Sequence, residues 1–213
     1  MYTEILKAFL ETCLMVFGAG FFAALGGLPL GIAVAVTERG HLWEQAFLHR
    51  TLGFIINATR SIPFIILMIA VIPLTRWIAG SSIQVKALIV PLSIAAIPFF
   101  ARTVELAIKE VSGGLIEAAK AMGATPFQII QKVLLPESLS GIVSGLTLTL
   151  VNLVGFSAMA GFNGSGGLGK LAIDYGFYRY NTEIVLITVI IMIALVQFIQ
   201  SAGDYVARQI VTR

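Results

Sequence analysis

The sequence predicts an all-α membrane protein with five transmembrane helices in a single domain over residues 12–203. Three observations lead there. Hydrophobic residues make up 58% of the chain and charged residues only 12%, about half the charged share usual in soluble domains. The apolar residues are gathered into five runs, each near the roughly 20 residues needed to cross a hydrocarbon core. Between the third and fourth runs lies a polar excursion, residues 102–138, with the spacing of short water-facing helices.

The first run, Thr12–Val36, follows MYTEILKAFLE. Its mixed charge and great length are those of a retained helix, not of a cleaved signal. The second run, Leu52–Thr75, holds Arg60, and the third, Lys86–Ala101, is short and holds Pro91 and Pro98, so a kink is expected there. Leu139–Ala160 and Ile184–Gly203 complete the set. Cys13, the single cysteine, excludes an intrachain disulfide. A net charge of +3 without a basic cluster excludes a nucleic-acid surface.

Lysine and arginine set the orientation. Five spans put Arg39, Arg50, Arg102, Lys109, Lys120, Lys132, Arg208 and Arg213 on one side, and Lys7, Arg76, Lys86, Lys170 and Arg179 on the other. The richer side is cytoplasmic, so the N-terminus is expected outside, the C-terminus inside and the 102–138 excursion in the cytoplasm.

That excursion contains EAAKAMGATPFQIIQKVLLP, Glu117–Pro136. Its first half is rich in helix-forming Ala, Glu and Lys. Gly123 falls where a helix ends in a left-handed residue. Thr125-Pro126-Phe127-Gln128 then reads as a capped start, with Thr125 as N-cap, Pro126 in the first helical position and Gln128 placed for a capping box. Phe127, Ile130 and Leu134 share one predicted apolar stripe, and Pro136 is expected to end this second helix. Two short helices joined by a fixed elbow result. An amphipathic helix resting on lipid headgroups would be one use of such a segment. The small residues Ala118, Ala119 and Ala121 instead favour close approach of another protein.

Glu117, Ala118, Ala119, Gly123, Leu135 and Pro136 resemble, at their spacing, the EAA loop of ATP-binding cassette (ABC) importer permeases; Val133 stands where isoleucine is usual. RSIPFIIL at Arg60–Leu67 and SAMAGFNGSGGLG at Ser157–Gly169 look most like the methionine importer branch. The resemblance implies a type I transmembrane domain and a cytoplasmic coupling helix that docks on an ATPase subunit. It implies a second copy of the chain, two ABC ATPases holding ATP and magnesium, and an external substrate-binding protein. The cargo it implies is an amino acid, methionine in one or both enantiomers, carried across the cell inner membrane. By the same resemblance Met159 is a candidate gate near the outer mouth, although Met at a helix end also serves as adaptable packing.

Three further features need weighing. Arg60 costs about 2.5–3.5 kcal/mol to place mid-bilayer. With Asn57, Thr59 and Ser61 it either lines an interior or snorkels to the cytoplasmic interface. Ser157 and Asn152 offer the fourth span a polar option, unless such hydroxyls bond their own backbone. GSGGLGK at Gly164–Lys170 mimics a phosphate loop, but Leu171 replaces the magnesium-binding hydroxyl and no predicted strand precedes it. His41 and His49 lack carboxylate or thiol neighbours at ligand spacing, so no metal site is expected, and no nucleophile–base pair marks a catalytic centre. A self-contained secondary transporter or channel is the rival class; it would call for an ion-coupling carboxylate inside a span, and none lies mid-span.

Overall fold

The computed structural model describes residues 2–211; Arg213, counted above on the richer side, lies outside them. Among the described residues every regular element is helical. Four runs are long and apolar enough to cross a membrane: Tyr2–Val36, Ile89–Lys109, Pro126–Asn163 and Thr182–Ile210. A fifth span arises only from a bent pair, Ala46–Ser61 with Phe64–Ala70.

Helix α1 (Tyr2–Val36) starts ten residues earlier than its apolar run. Its polar first turns are held: the Gly167 N–H donates to Glu11 at 2.8 Å and the Leu168 N–H to Thr12 Oγ1 at 2.9 Å. Along its length Ala19, Ala23, Gly27, Gly31 and Ala35 recur every fourth position, and all are buried. This small-residue ridge admits α5 (Ile89–Lys109) at close range. A Cβ on Gly27 would sit 2.9 Å from the Ile97 carbonyl, and one on Gly31 2.5 Å from that of Ala101.

The second run is not one helix. Helix α2 (Ala46–Ser61) stops before Pro63, and the axis turns 105° into α3 (Phe64–Ala70). Proline drives the residue before it out of the helical region, and Ile62 is extended, with ψ 124°. A short α4 (Ile72–Ala79) ends at Gly80 in the left-handed region.

The third span is also longer than its apolar run. Helix α5 passes through Pro98 and reaches Lys109 because its polar end is internally neutralised. Glu105, 1% exposed, pairs with Arg102 at 2.7 Å and Lys109 at 2.8 Å.

Helix α6 (Gly113–Ala121) and α7 (Pro126–Ile129) form the excursion. A π-helical turn, Ile130–Leu134, then leads without interruption into α8 (Leu135–Ala160). Pro136 therefore does not end the helix, contrary to expectation. It sits in the first turn of α8, after a turn whose bonds run i to i+5, where its missing N–H interrupts no regular ladder. The same turn shifts the register of the apolar stripe: Ile129, Ile130 and Leu134 are buried, whereas Phe127 is 64% exposed. Helix α9 (Gly167–Ala172) and α10 (Thr182–Val211) complete the chain.

Two main cores divide the bundle lengthwise. One gathers Met15, Phe64, Leu92, Leu153 and Leu195. The other gathers Phe100, Val104, Ile108, Ala119, Ile129 and Leu134, so the excursion is part of the bundle's own core.

Candidate functional site

The elbow of the excursion is built by backbone geometry. Gly123 has φ +80°. Its N–H donates to the Lys120 carbonyl at 3.0 Å and that of Ala124 to the Ala119 carbonyl at 3.1 Å. These two bonds are the paired closure of a glycine-terminated helix. Two residues on, the predicted capping box is present: the Gln128 N–H donates to Thr125 Oγ1 at 3.4 Å, and the Thr125 N–H to Gln128 Oε1 at 2.9 Å. Both helix ends at the corner thus satisfy their own donors and acceptors, which sets the angle between α6 and the α7–α8 run.

Ala119 does not belong to the outward face as expected. It is 4% exposed and packs with Ile129 and Leu134, because helical periodicity turns it away from its neighbours. Glu117, Ala118, Ala121 and Gly123 are exposed, as is Pro136, while Val133 and Leu135 are half-buried. The outward surface also carries Leu115, Met122 and Phe127, with Met122 82% exposed. Large apolar side chains around small ones make a knobbed surface suited to a cleft.

An ion network missed in the sequence lies between this excursion and α1. Lys109 bridges Glu105 to Glu38, at 2.9 Å from the latter, just past the end of α1. The Lys109 ammonium donating to Glu38 holds that carboxyl below the usual carboxylate range. The signal was the i, i+3 and i, i+4 spacing of Arg102, Glu105 and Lys109. It was hidden because the apolar run appeared to stop at Ala101. His49 lies on the same side, its Nδ1 3.0 Å from the Val34 carbonyl.

Of the pathway candidates, Arg60 is near the far end of α2, about 20 Å from its start at 1.5 Å per residue. It is therefore not at the interface where its span begins. Its guanidinium carbon stands 5.5 Å from the centroid of Phe99, the middle residue of α5. Arg60, Phe99, Asn152 and Phe156 line a cavity of about 230 Å³ between α2, α5 and α8. Asn57 and Ser61 are exposed, and the Ser61 hydroxyl donates to the Asn57 carbonyl at 2.8 Å. Ser157 turns inward instead: it is 2% exposed and donates to the Val154 carbonyl at 2.7 Å. Met159 is 43% exposed, on one stripe of α8 with Ser144, Leu148 and Gly155.

The glycine-rich segment takes left-handed backbone at Gly164, Gly166 and Gly167. Gly169 lies flush on the Ala158 backbone, where a Cβ would collide. The Gly167 and Leu168 amides, which a phosphate loop would offer to an anion, are committed to Glu11 and Thr12 of α1.

Residues 27–212 match the family model described as the inner membrane component of binding-protein-dependent transport systems. A protein from Vibrio cholerae serotype O1 (strain ATCC 39315 / El Tor Inaba N16961), described as a probable D-methionine transport system permease protein MetI, is 51% identical over 97% of this chain and 92% of its own. The D-methionine transport system permease protein MetI of Escherichia coli (strain K12) is 54% identical over 71% of this chain and 70% of its own. A chain from an inward-facing crystal form of the MetNI methionine ABC transporter superposes with a TM-score of 0.97 at 48% identity, covering 99% of this chain and 97% of that one. An amino acid ABC transporter crystallised with histidines, 18% identical, shares the fold at a TM-score of 0.80. The chain belongs to the inner membrane component family of binding-protein-dependent transport systems.

Proposed function

We propose that this chain is the membrane-spanning permease subunit of an ABC importer for methionine, carrying the D-form and with it the L-form. Two copies form the pathway, two ATPase subunits dock on the α6–α7 elbow, and an external binding protein delivers the amino acid. The chain sits in the cell inner membrane with its N-terminus outside and its C-terminus in the cytoplasm. The observation that carries this reading is the elbow itself: a rigid corner, packed into the bundle core on its inner side and presenting Met122, Phe127 and small residues outward.

ATP and magnesium are held by the partner subunits. The one segment of this chain with phosphate-loop spacing has its amides bound to α1 and no hydroxyl at position 171. ATP draws the two ATPase subunits together, and the elbows move with them. Since the elbow shares a core with α5 and α8, its displacement tilts those helices, switching the cavity between the two faces of the membrane. Arg60, Asn57 and Ser61 line the path, and Met159 of each copy closes its outer part; Ser157 supports the Met159 turn from inside the helix bundle.

The rival, a self-contained ion-coupled carrier, is disfavoured by Glu105. It is the buried carboxylate such a carrier would protonate, yet Arg102 and Lys109 both neutralise it.

The test is reconstitution in vesicles with and without the ATPase partner. ATP-dependent uptake of labelled methionine only with the partner is the expected result. Uptake driven by an ion gradient in its absence would overturn the reading.

A further inference from the structure

We infer that the cavity between α2, α5 and α8 is a binding site for the transported amino acid, with Arg60 taking its carboxylate and Phe99 and Phe156 its apolar side chain. This rests on the importer reading above and deepens it, from a pathway to a site with defined chemistry.

Among the described residues no carboxylate stands within ion-pair distance of Arg60, while Lys7, Arg102 and Lys109 all have one. Arg60 is exposed on α2, and a cation inside a membrane span is expected to face a partner or a water-filled path. Arg60 instead rests over the face of Phe99, a contact that holds the guanidinium in place without neutralising it. Its fork remains available for a carboxylate, which it matches with two parallel hydrogen bonds. Asn152, on α8 and facing the same cavity, adds an amide that both donates and accepts.

The remaining lining suits the rest of the molecule. The Phe156 ring stacks on Phe64 with centroids 4.8 Å apart and planes within 10°, so it is a preset wall. Phe99 faces it from α5. Thioethers bind aromatic rings favourably, and the space is bounded for one small side chain. At about 230 Å³ the cavity lies just below the range of drug-sized ligands. That size is of the order of a single amino acid.

The third contact comes from the break in the second span. Helix α2 ends at Ser61 because Ile62 is extended, so its last carbonyls leave the helical ladder beside the cavity, which Thr59 and Ile62 also line. That end carries the negative pole of the helix, where a primary ammonium is favoured. Carboxylate, ammonium and side chain thus each have a matching wall. Peripheral lipid phosphate would satisfy only the first, and Arg60 reaches the middle of α5 rather than a headgroup layer.

The experiment is titration of the purified permease–ATPase complex, without the binding protein, with methionine and with methionine methyl ester as the carboxyl-blocked probe. Wild type is expected to bind methionine at least tenfold more tightly than the ester, and Arg60→Gln to bind the two alike. Should Arg60→Gln not assemble with the ATPase, Arg60→Lys serves: it keeps the charge, loses the fork, and is expected to lose several-fold in methionine affinity. An unaltered preference in Arg60→Gln, or unaltered affinity in Arg60→Lys, overturns the site. So does a wild-type complex that imports methionine in vesicles yet shows no binding in this titration, an outcome that leaves the importer reading intact. Absence of methionine import by wild type would instead strike the importer reading.

Discussion

Lys109 Nζ lies 2.9 Å from the Glu38 carboxylate, tying the end of α1 to the end of α5 just before the chain turns into the α6–α7 elbow. The same ammonium lies 2.8 Å from Glu105, which is 1% exposed.

Removing the bridge is expected to weaken the bundle. Losing one partner of a fully buried pair costs about 3–5 kcal/mol. Lys109 and Glu38 each keep about a third of their side-chain exposure, so Lys109→Ala is expected to cost less: about 0.2–1 kcal/mol for the Glu38 contact and up to about 3 kcal/mol for buried Glu105, which keeps only Arg102. Thermal unfolding of the detergent-solubilised complex measures this, and a Glu38→Ala/Lys109→Ala double-mutant cycle isolates the shared term.

The same contact predicts a pH dependence. The Glu38 carboxyl titrates below its ordinary value because Lys109 donates to it. Its ionised form is therefore favoured by folding. The contribution is complete above the ordinary glutamate range and disappears as pH falls through the depressed value. The stability gap between wild type and Glu38→Gln should be present at neutral pH and close in acid. A gap that widens on acidification would contradict the assignment.

Gly123→Val should strain the elbow without any clash. Nothing lies within 4 Å of a Cβ built there, but φ is +80°. Left-handed backbone costs a β-branched residue about 1–2 kcal/mol. Co-purification of the ATPase is expected to fall, with Gly123→Asn milder, since asparagine tolerates this region.

The two sides of α6 should respond differently. Met122→Glu and Phe127→Glu alter exposed positions and are expected to reduce ATPase association while the permease's own unfolding midpoint stays put. Ala119→Trp enlarges a residue packed on Ile129 and Leu134. It should lower that midpoint, by overpacking worth about 1–3 kcal/mol. Equal effects on both readouts for all three variants would refute the division into an inner and an outer face.

Gly31→Val tests the ridge of α1. Its side chain would meet the Ala101 carbonyl and Val104. Separation of α1 from α5 should lower the yield of folded protein in detergent more than the same change at Gly53, where a Cβ would meet nothing.

Much was legible in the chain itself. Apolar length announces a membrane helix, so four spans followed directly; the fifth expected run proved to be a bent pair of helices. The elbow was equally plain, because a left-handed glycine, a threonine N-cap and a proline at the first helical position act through bonds only a few residues long. The ridge Ala19, Ala23, Gly27, Gly31, Ala35 was also written in the sequence, though only as a spacing whose partner helix is named nowhere in it. Tertiary structure decided the rest. Pro63 and Pro136 have the same covalent chemistry, yet the chain breaks by 105° at one and runs on through a π-helical turn at the other. What differs is the residue before each proline: Ile62 is extended, whereas Leu135 stays helical at the end of the π-helical turn. Likewise Ala119 went inside while Ala118 stayed out, and Glu105 became a buried partner of two cations. A side chain's burial depends on which helix face meets which neighbour. That is settled by packing between segments distant in sequence, and local spacing does not encode it.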